Sequence, residues 1–137
     1  MQYIDVRDLA AWLVRTNTTG TFNAVTPTMP MSALMDACAA ATEPRELIWV
    51  PTAELLAAGV DHWMGVPLWI GDPEWSAANL IDASAAHTAG LTIRPLIDTV
   101  RDVTAWDTER GGPTDGQEPL SPDDEHLLLT KTGQLPL

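Results

Sequence analysis

The chain has 137 residues, 45% of them hydrophobic, with 7 Lys plus Arg against 19 Asp plus Glu and a formal charge of −12. That length and apolar content suit one domain with a packed core rather than a disordered chain. The acidic balance rules out a nucleic-acid backbone binder as the default reading and disfavours an anionic membrane surface, because both demand a basic face. The single cysteine, Cys38, excludes an intrachain disulfide and a multi-thiolate metal site.

In chain order, Gln2–Val6 reads as a short strand. Asp5 or Asp8 then caps a helix from about Asp8 to Thr16, with Leu9, Trp12, Leu13 and Thr16 on one face. A turn at residues 17–20 leads to an alternating strand, Thr21–Val25. Pro30 suits the first turn of a second helix that carries Met31, Leu34, Met35, Cys38 and Ala41 inward. Glu46–Val50 reads as a third strand, and Thr52 caps a short helix over Ala53–Ala58 that Gly59 stops.

Residues 60–79 differ in kind. Trp63, Trp69 and Trp75 share the stretch with Gly65, Pro67, Gly71 and Pro73, and no clean period runs through it. Long irregular stretches in compact domains are often binding loops. A short strand at Asn79–Asp82 and a short helix over Ala83–Ala89 follow, closed by Gly90. Leu91–Pro95 is extended, as the proline requires of its predecessor. A longer helix runs from about Leu96 to Arg110. Its stripe is Leu96, Val100, Val103 and Asp107, with Ile97 and Thr104 beside it. The domain boundary falls there, giving 1–110 as an α/β unit of short strands and about five helices, and 111–137 as an acidic linker and tail. Within the tail, Ser121-Pro122-Asp123-Asp124 starts a last helical turn or two.

Residues 98–125 hold nine acids against Arg101 and Arg110, a solvated acidic face or a docking segment for a basic partner. No run approaches the roughly 18 apolar residues of a membrane span, and the opening residues lack a basic stretch followed by an apolar one. No membrane and a cytoplasmic setting are the expectation.

The order of these segments is similar to a known module. Tyr3-Ile4-Asp5-Val6-Arg7-Asp8-Leu9-Ala10 resembles the opening of the C-terminal, substrate-binding part of extended short-chain dehydrogenases/reductases, the NAD-dependent epimerase/dehydratase group. Gly20-Thr21-Phe22-Asn23-Ala24-Val25 resembles their next strand. Trp63-Met64-Gly65-Val66-Pro67-Leu68-Trp69 is similar to the substrate-side loop of actinobacterial members. Ala89–Leu96, with Thr99–Asp102 and Trp106, resembles the closing helix region, and Leu120-Ser121-Pro122 the C-terminus. The resemblance implies an α/β substrate-binding half. Three departures limit it. None of the nine glycines forms the G-x-G-x-x-G or G-x-x-G-x-x-G turn that would hold a dinucleotide. The Tyr-x-x-x-Lys pair is also missing, since the one tyrosine is Tyr3 and the one lysine is Lys131. Hydride transfer by this chain alone is not expected, and no cofactor is. Ser84-Ala85-Ala86 stands where the family commonly has Ser-Arg-Ala, which removes an expected anion contact.

On that frame Asp5 lies at a strand end beside the cleft. It is either a helix cap or a carboxylate facing substrate, with Arg7 next to it for substrate contact or domain packing. His62, between Asp61 and Trp63, is either an exposed loop residue or a proton shuttle. His87, five residues after Asp82, is either a surface group or a third acid/base candidate, with Asp82 among the substrate contacts. Trp63, Trp69 and Trp75 offer large apolar faces with one donor each, for a hydrophobic ligand or for closing a small core. His62, His87 and His126 show no metal-ligand spacing, no nucleophile elbow surrounds any serine, and Cys38 sits on an apolar helix face. The expected function is binding of an apolar small molecule, with a cofactor-independent cyclisation, isomerisation or elimination as the chemistry such a pocket would support. The alternative is a non-catalytic interaction or dimerisation module, or the substrate half of a split NAD(P)-dependent reductase. The corresponding partners are a second copy or a separate nucleotide-binding chain.

Overall fold

The computed structural model describes residues 1–42, 46–63, 65–112 and 120–134. Its elements are helices: α1 (Val6–Arg15), α2 (Met31–Ala41), α3 (Thr52–Ala57), α4 (Ser84–Thr88), α5 (Leu96–Glu109) and α6 (Pro122–Lys131), with a 3-10 helix at Pro73–Asn79 between α3 and α4. The chain divides into two compact units. The first comprises Met1–Arg45 and Ala77–Arg110, the second Glu46–Ser76 and Gly111–Leu137.

The α/β expectation is overturned. Among the described residues there is no strand, only an isolated bridge between His62 and Val66. Of the segments expected as strands, 21–25 and 46–50 are free of helix, whereas Val6 at the end of Gln2–Val6 opens α1 and Asn79 at the start of Asn79–Asp82 closes the 3-10 helix. The reason is what they bond to. Tyr3 accepts one backbone bond from Thr26 N–H at 2.7 Å, but its own N–H donates to the Thr26 hydroxyl at 3.2 Å instead of continuing a ladder. Beside Ile81 the partner is a side chain: the Gln2 amide donates to the Ile81 carbonyl and accepts from the Ile81 N–H, both at 2.9 Å. The backbone groups are satisfied one at a time, so β-favouring residues lie extended without forming a sheet.

The helices follow their local signals. Asp5 caps α1, its side chain accepting from Arg7 N–H, and the helix starts two residues before the expected Asp8. Trp12 is buried and Leu9 half-buried as their spacing predicts, but Leu13, expected on the same face, is 59% exposed. Pro51 rather than Thr52 precedes α3, which has no side-chain cap. Gly59 ends that helix with φ +78° and Gly90 follows α4 with φ +91°, conformations that glycine adopts without a Cβ penalty. Ser121 caps α6 by accepting from Asp124 N–H, with Pro122 at the first position and three acids in the first turn. The Gly/Pro-rich linker expected at 111–119 lies outside the described residues from 113 onward.

The core of the first unit is Trp12, Ala86 and Leu91, with Ile4, Leu9, Phe22, Ala24, Ala89 and Ile93 packed around them. The Trp12 and Phe22 rings meet edge-to-face, 5.5 Å between centroids at 87°, a favoured aromatic geometry. α2 packs along α5. On α5 the covered side is Leu96, Ile97, Val100 and Thr104, whereas Val103 of the expected stripe is 53% exposed. In the second unit Leu55 of α3 is buried, and its carbonyl accepts from Val60 N–H at 3.0 Å. No helix among the described residues is long and apolar enough to cross a membrane.

Candidate functional site

The residues singled out from sequence fall into three places. Asp5 and Arg7 belong to a charged network at the N-terminus of α1. Asp82 and His87 line a recess of the first unit. His62, Trp63, Trp69 and Trp75 all lie in the second unit.

The network is built around Asp5, which is 4% exposed. Its carboxylate accepts from Arg7 N–H at 2.8 Å, Arg7 Nε at 2.9 Å, Arg7 Nη2 at 2.6 Å and the Thr99 hydroxyl at 2.8 Å. Arg94 Nε lies 3.5 Å away as a further ion-pair partner. These contacts, the Arg7 side chain first among them, hold the Asp5 carboxyl well below the ordinary carboxylate range although burial opposes them. A carboxylate so held is a poor proton acceptor. Arg7 is spoken for as well, since its other amino group pairs with Asp102 of α5. Asp8 completes the cluster by accepting from Arg94 N–H at 2.9 Å and Arg94 Nε at 2.8 Å. The arrangement fastens the start of α1 to residue 94 and to α5. Tyr3 lies beside it. Burial first, then the charges of Asp8 and Asp5, push its phenol above the usual value, against a lowering hydrogen bond from Thr99.

The recess has a volume of about 350 Å³ and is lined by Gln2, Pro27, Thr28, Leu80, Ile81, Asp82, Ala83, Ser84 and His87. Its position follows from the missing ladder: residues 79–82 run past Gln2 and Thr28, and the Thr28 hydroxyl donates to Asn79 O at 2.7 Å. Leu80 and Ile81 remain 66% and 44% exposed, which leaves apolar surface on its wall. Asp82 accepts from Ser84 N–H at 2.9 Å, and the backbone and then the side chain of Ser84 hold its carboxyl below the ordinary value. His87 contributes a ring edge rather than a free nitrogen. Its Nε2 lies 3.0 Å from Val25 O and its Nδ1 3.2 Å from Leu91 O, so both nitrogens face backbone carbonyls. The imidazole ties α4 to the two segments it packs between.

In the second unit the His62 ring stacks on Trp69, 5.2 Å between centroids at 18°. Gly71 N–H donates to His62 Nδ1 at 2.9 Å, which places the ring proton on Nε2 in the neutral form. Trp63 and Trp75 are 54% and 61% exposed. Trp63 and Leu68 both hold left-handed backbone, φ 63° and 66°, which is costly for side chains of this size. A second recess of about 340 Å³ lies in this unit, lined among others by Val60, Asp61, Asp124, Leu127, Leu128 and Lys131. None of the tryptophans lines it. Among the described residues no three His, Cys, Asp or Glu side chains converge as a metal site.

Arg94 and Thr99 carry the network and were not singled out as site residues from the residue pattern alone. The one available signal was scarcity: with 7 basic residues against 19 acids, each buried carboxylate competes for a small set of cations. Gln2 and Thr28 of the recess left no local signal, since they meet residues 79–84 only in the folded chain. No family model, no curated protein and no solved structure matches the chain.

Proposed function

We propose that this chain is a binding domain for an apolar small molecule, with the recess of Leu80, Ile81 and Asp82 as its site. The observation that carries this is the concave wall of about 350 Å³, within the range of ligand pockets, on which Leu80 and Ile81 leave apolar surface uncovered. The polar groups at its edge are few. The amide of Gln2 is spent on Thr26 O and on Ile81, and the Thr28 hydroxyl on Asn79 O. The Asp82 carboxylate is left as the charged group that meets a ligand. Held below the ordinary value by Ser84, it stays ionised and serves as an anionic anchor for the ligand. A cytoplasmic setting accords with a lone, half-buried cysteine.

Three probes of one shape test it: 2-naphthylmethanol, 2-naphthylmethylammonium and 2-naphthoate, titrated against the amide resonances of the whole chain. The expected result is movement of the Ile81, Ala83 and Ser84 amides, largest for the cation and least for the anion, and its loss in Ile81→Asp. No response at these amides from any probe at millimolar concentration overturns the proposal.

A further inference from the structure

His87 faces two oxygens that both ask for a proton. Its Nε2 lies 3.0 Å from Val25 O and its Nδ1 3.2 Å from Leu91 O. A carbonyl oxygen only accepts, and a neutral imidazole carries hydrogen on one nitrogen alone. In either neutral tautomer a bare nitrogen therefore points its lone pair at a carbonyl oxygen. The imidazolium carries hydrogen on both nitrogens and satisfies both contacts. His62 has the opposite surroundings, since its Nδ1 accepts from Gly71 N–H, which a hydrogen on that nitrogen would block. The chain thus holds one histidine placed to accept and one placed to donate twice.

The double contact matters because of what it fastens. α4 has five residues, too few for its own hydrogen bonds to hold it in place. Ala86 anchors it in the core of the first unit, and the Ala86 carbonyl accepts from Leu91 N–H at 3.0 Å. His87 reaches Val25, 62 positions back along the chain, and its ring forms part of the recess wall.

The charged and titratable groups around the ring suit a cation there. Asp82 shares the recess wall with His87 and is held ionised by Ser84. Arg94, on the segment that follows Leu91, is already paired with Asp8 and Asp5. Asp8 is also the inward charge of α1, the helix whose Trp12 donates to Ala89 O at the end of α4. Tyr3, whose carbonyl accepts from Thr26 N–H beside Val25, is pushed towards its neutral form. The Met1 amino group donates to Met29 O. A net charge of −12 over the whole chain favours the added proton. We propose that His87 is a proton-operated latch. As the imidazolium it pins α4 to Val25 O and Leu91 O; on losing a proton it keeps the shorter contact, to Val25, and releases Leu91. The consequence for a ligand rests on reading the recess as a binding site: release slackens the wall that His87 forms, so affinity falls as pH rises.

Long-range nitrogen–proton spectra of the imidazole rings in the full chain, taken from about pH 6 to about pH 9, test the proposal. At about pH 7 both His87 nitrogens are expected to carry hydrogen, while the His62 ring shows a bare Nδ1. Towards about pH 9 His87 Nδ1 should become bare, and the Thr92 amide, which follows the Leu91 carbonyl, should shift in the same step. His87→Gln should abolish the Thr92 step, which separates it from any effect of the Met1 amino group. Where that variant fails to fold, the wild-type ring spectra decide alone. 2-Naphthylmethanol, a probe without charge, should bind about two- to tenfold more tightly at about pH 6 than at about pH 9, the range that one hydrogen bond supplies. A His87 ring with one bare nitrogen at about pH 7 overturns the latch, and so does a Thr92 step that survives in His87→Gln. Equal affinity at both ends of the pH range overturns its coupling to the recess. A probe that binds at neither end defeats the reading of the recess, while the ring nitrogens still decide the latch.

Discussion

Asp8 holds Arg94 at two points, taking the backbone N–H of Arg94 on one carboxylate oxygen at 2.9 Å and its Nε on the other at 2.8 Å. One side chain of α1 therefore fixes both the path of the chain before α5 and the direction of the guanidinium. Asp8→Ala is expected to lower stability by about 2–3 kcal/mol, because it leaves a buried N–H and a partly buried charge without a partner. Arg94→Lys keeps the charge and the backbone bond but loses the Nε–H, and should cost roughly half as much. Urea denaturation at neutral pH reads both.

Asp5 makes the stability depend on acid. Its folded carboxyl is held below the unfolded value of about 3.9, so its contribution is complete above roughly pH 5 and is lost as pH falls through and below 4. Asp5→Asn retains a good cap but removes the charge that Arg7 and Arg94 face. It should cost about 2–3 kcal/mol at pH 7, less than a fully buried pair because Arg7 is itself partly exposed. The gap between wild type and variant should close as the pH of the denaturation series is taken down towards 2. A gap that stays constant with pH would contradict this account.

Tyr3 is the one tyrosine, so its ionisation can be followed by ultraviolet absorbance without ambiguity. Burial and the neighbouring Asp8 and Asp5 charges raise it above the ordinary value near 10. The folded chain should titrate later than the chain in urea. The raised phenol contributes stability that is fully present below about pH 10 and lost as pH climbs through the folded value. Thr99→Val removes a hydrogen bond that favours ionisation and should move the folded titration higher still.

Trp12 spans the first unit: its Nε1–H donates to Ala89 O at 2.9 Å, 77 positions along the chain. Trp12→Phe keeps an aromatic ring against Phe22 and strands that carbonyl, for an expected loss of about 1–2 kcal/mol. Trp12→Ala opens a cavity as well and should cost about 3–5 kcal/mol. Guanidinium denaturation followed by circular dichroism separates the two.

The helices were legible because their signals are local. A capping aspartate before Val6, a proline before Met31, a Ser-Pro-Asp-Asp start for α6 and glycines after α3 and α4 act within one turn of the chain. The extended segments misled for the same reason. Alternation at Thr21–Val25 says that a residue suits a pleated surface, but not whether a neighbouring backbone is there to pair with it. Gln2 and Thr26 supplied side chains where a sheet would have supplied main chain. The site was half visible. Asp82 and His87 were close enough in sequence to be grouped, whereas Gln2 and Thr28 reach the recess only through long-range bonds. Asp5 was recognised as either cap or catalyst; of the partners that bear on the choice, Arg7 is two residues away and Thr99 lies far along the sequence.

The side-chain amide of Gln2 occupies both hydrogen-bonding groups of Ile81. An extended main chain with no neighbouring strand leaves its N–H and C=O groups in need of partners. Here the register position is already taken by a group of the same polarity and spacing as a peptide bond, carried on a stem too short to propagate. Replacing Gln2 with a residue that cannot imitate a peptide would leave both main-chain groups of Ile81 to solvent and untie residues 80–83 from the start of the chain.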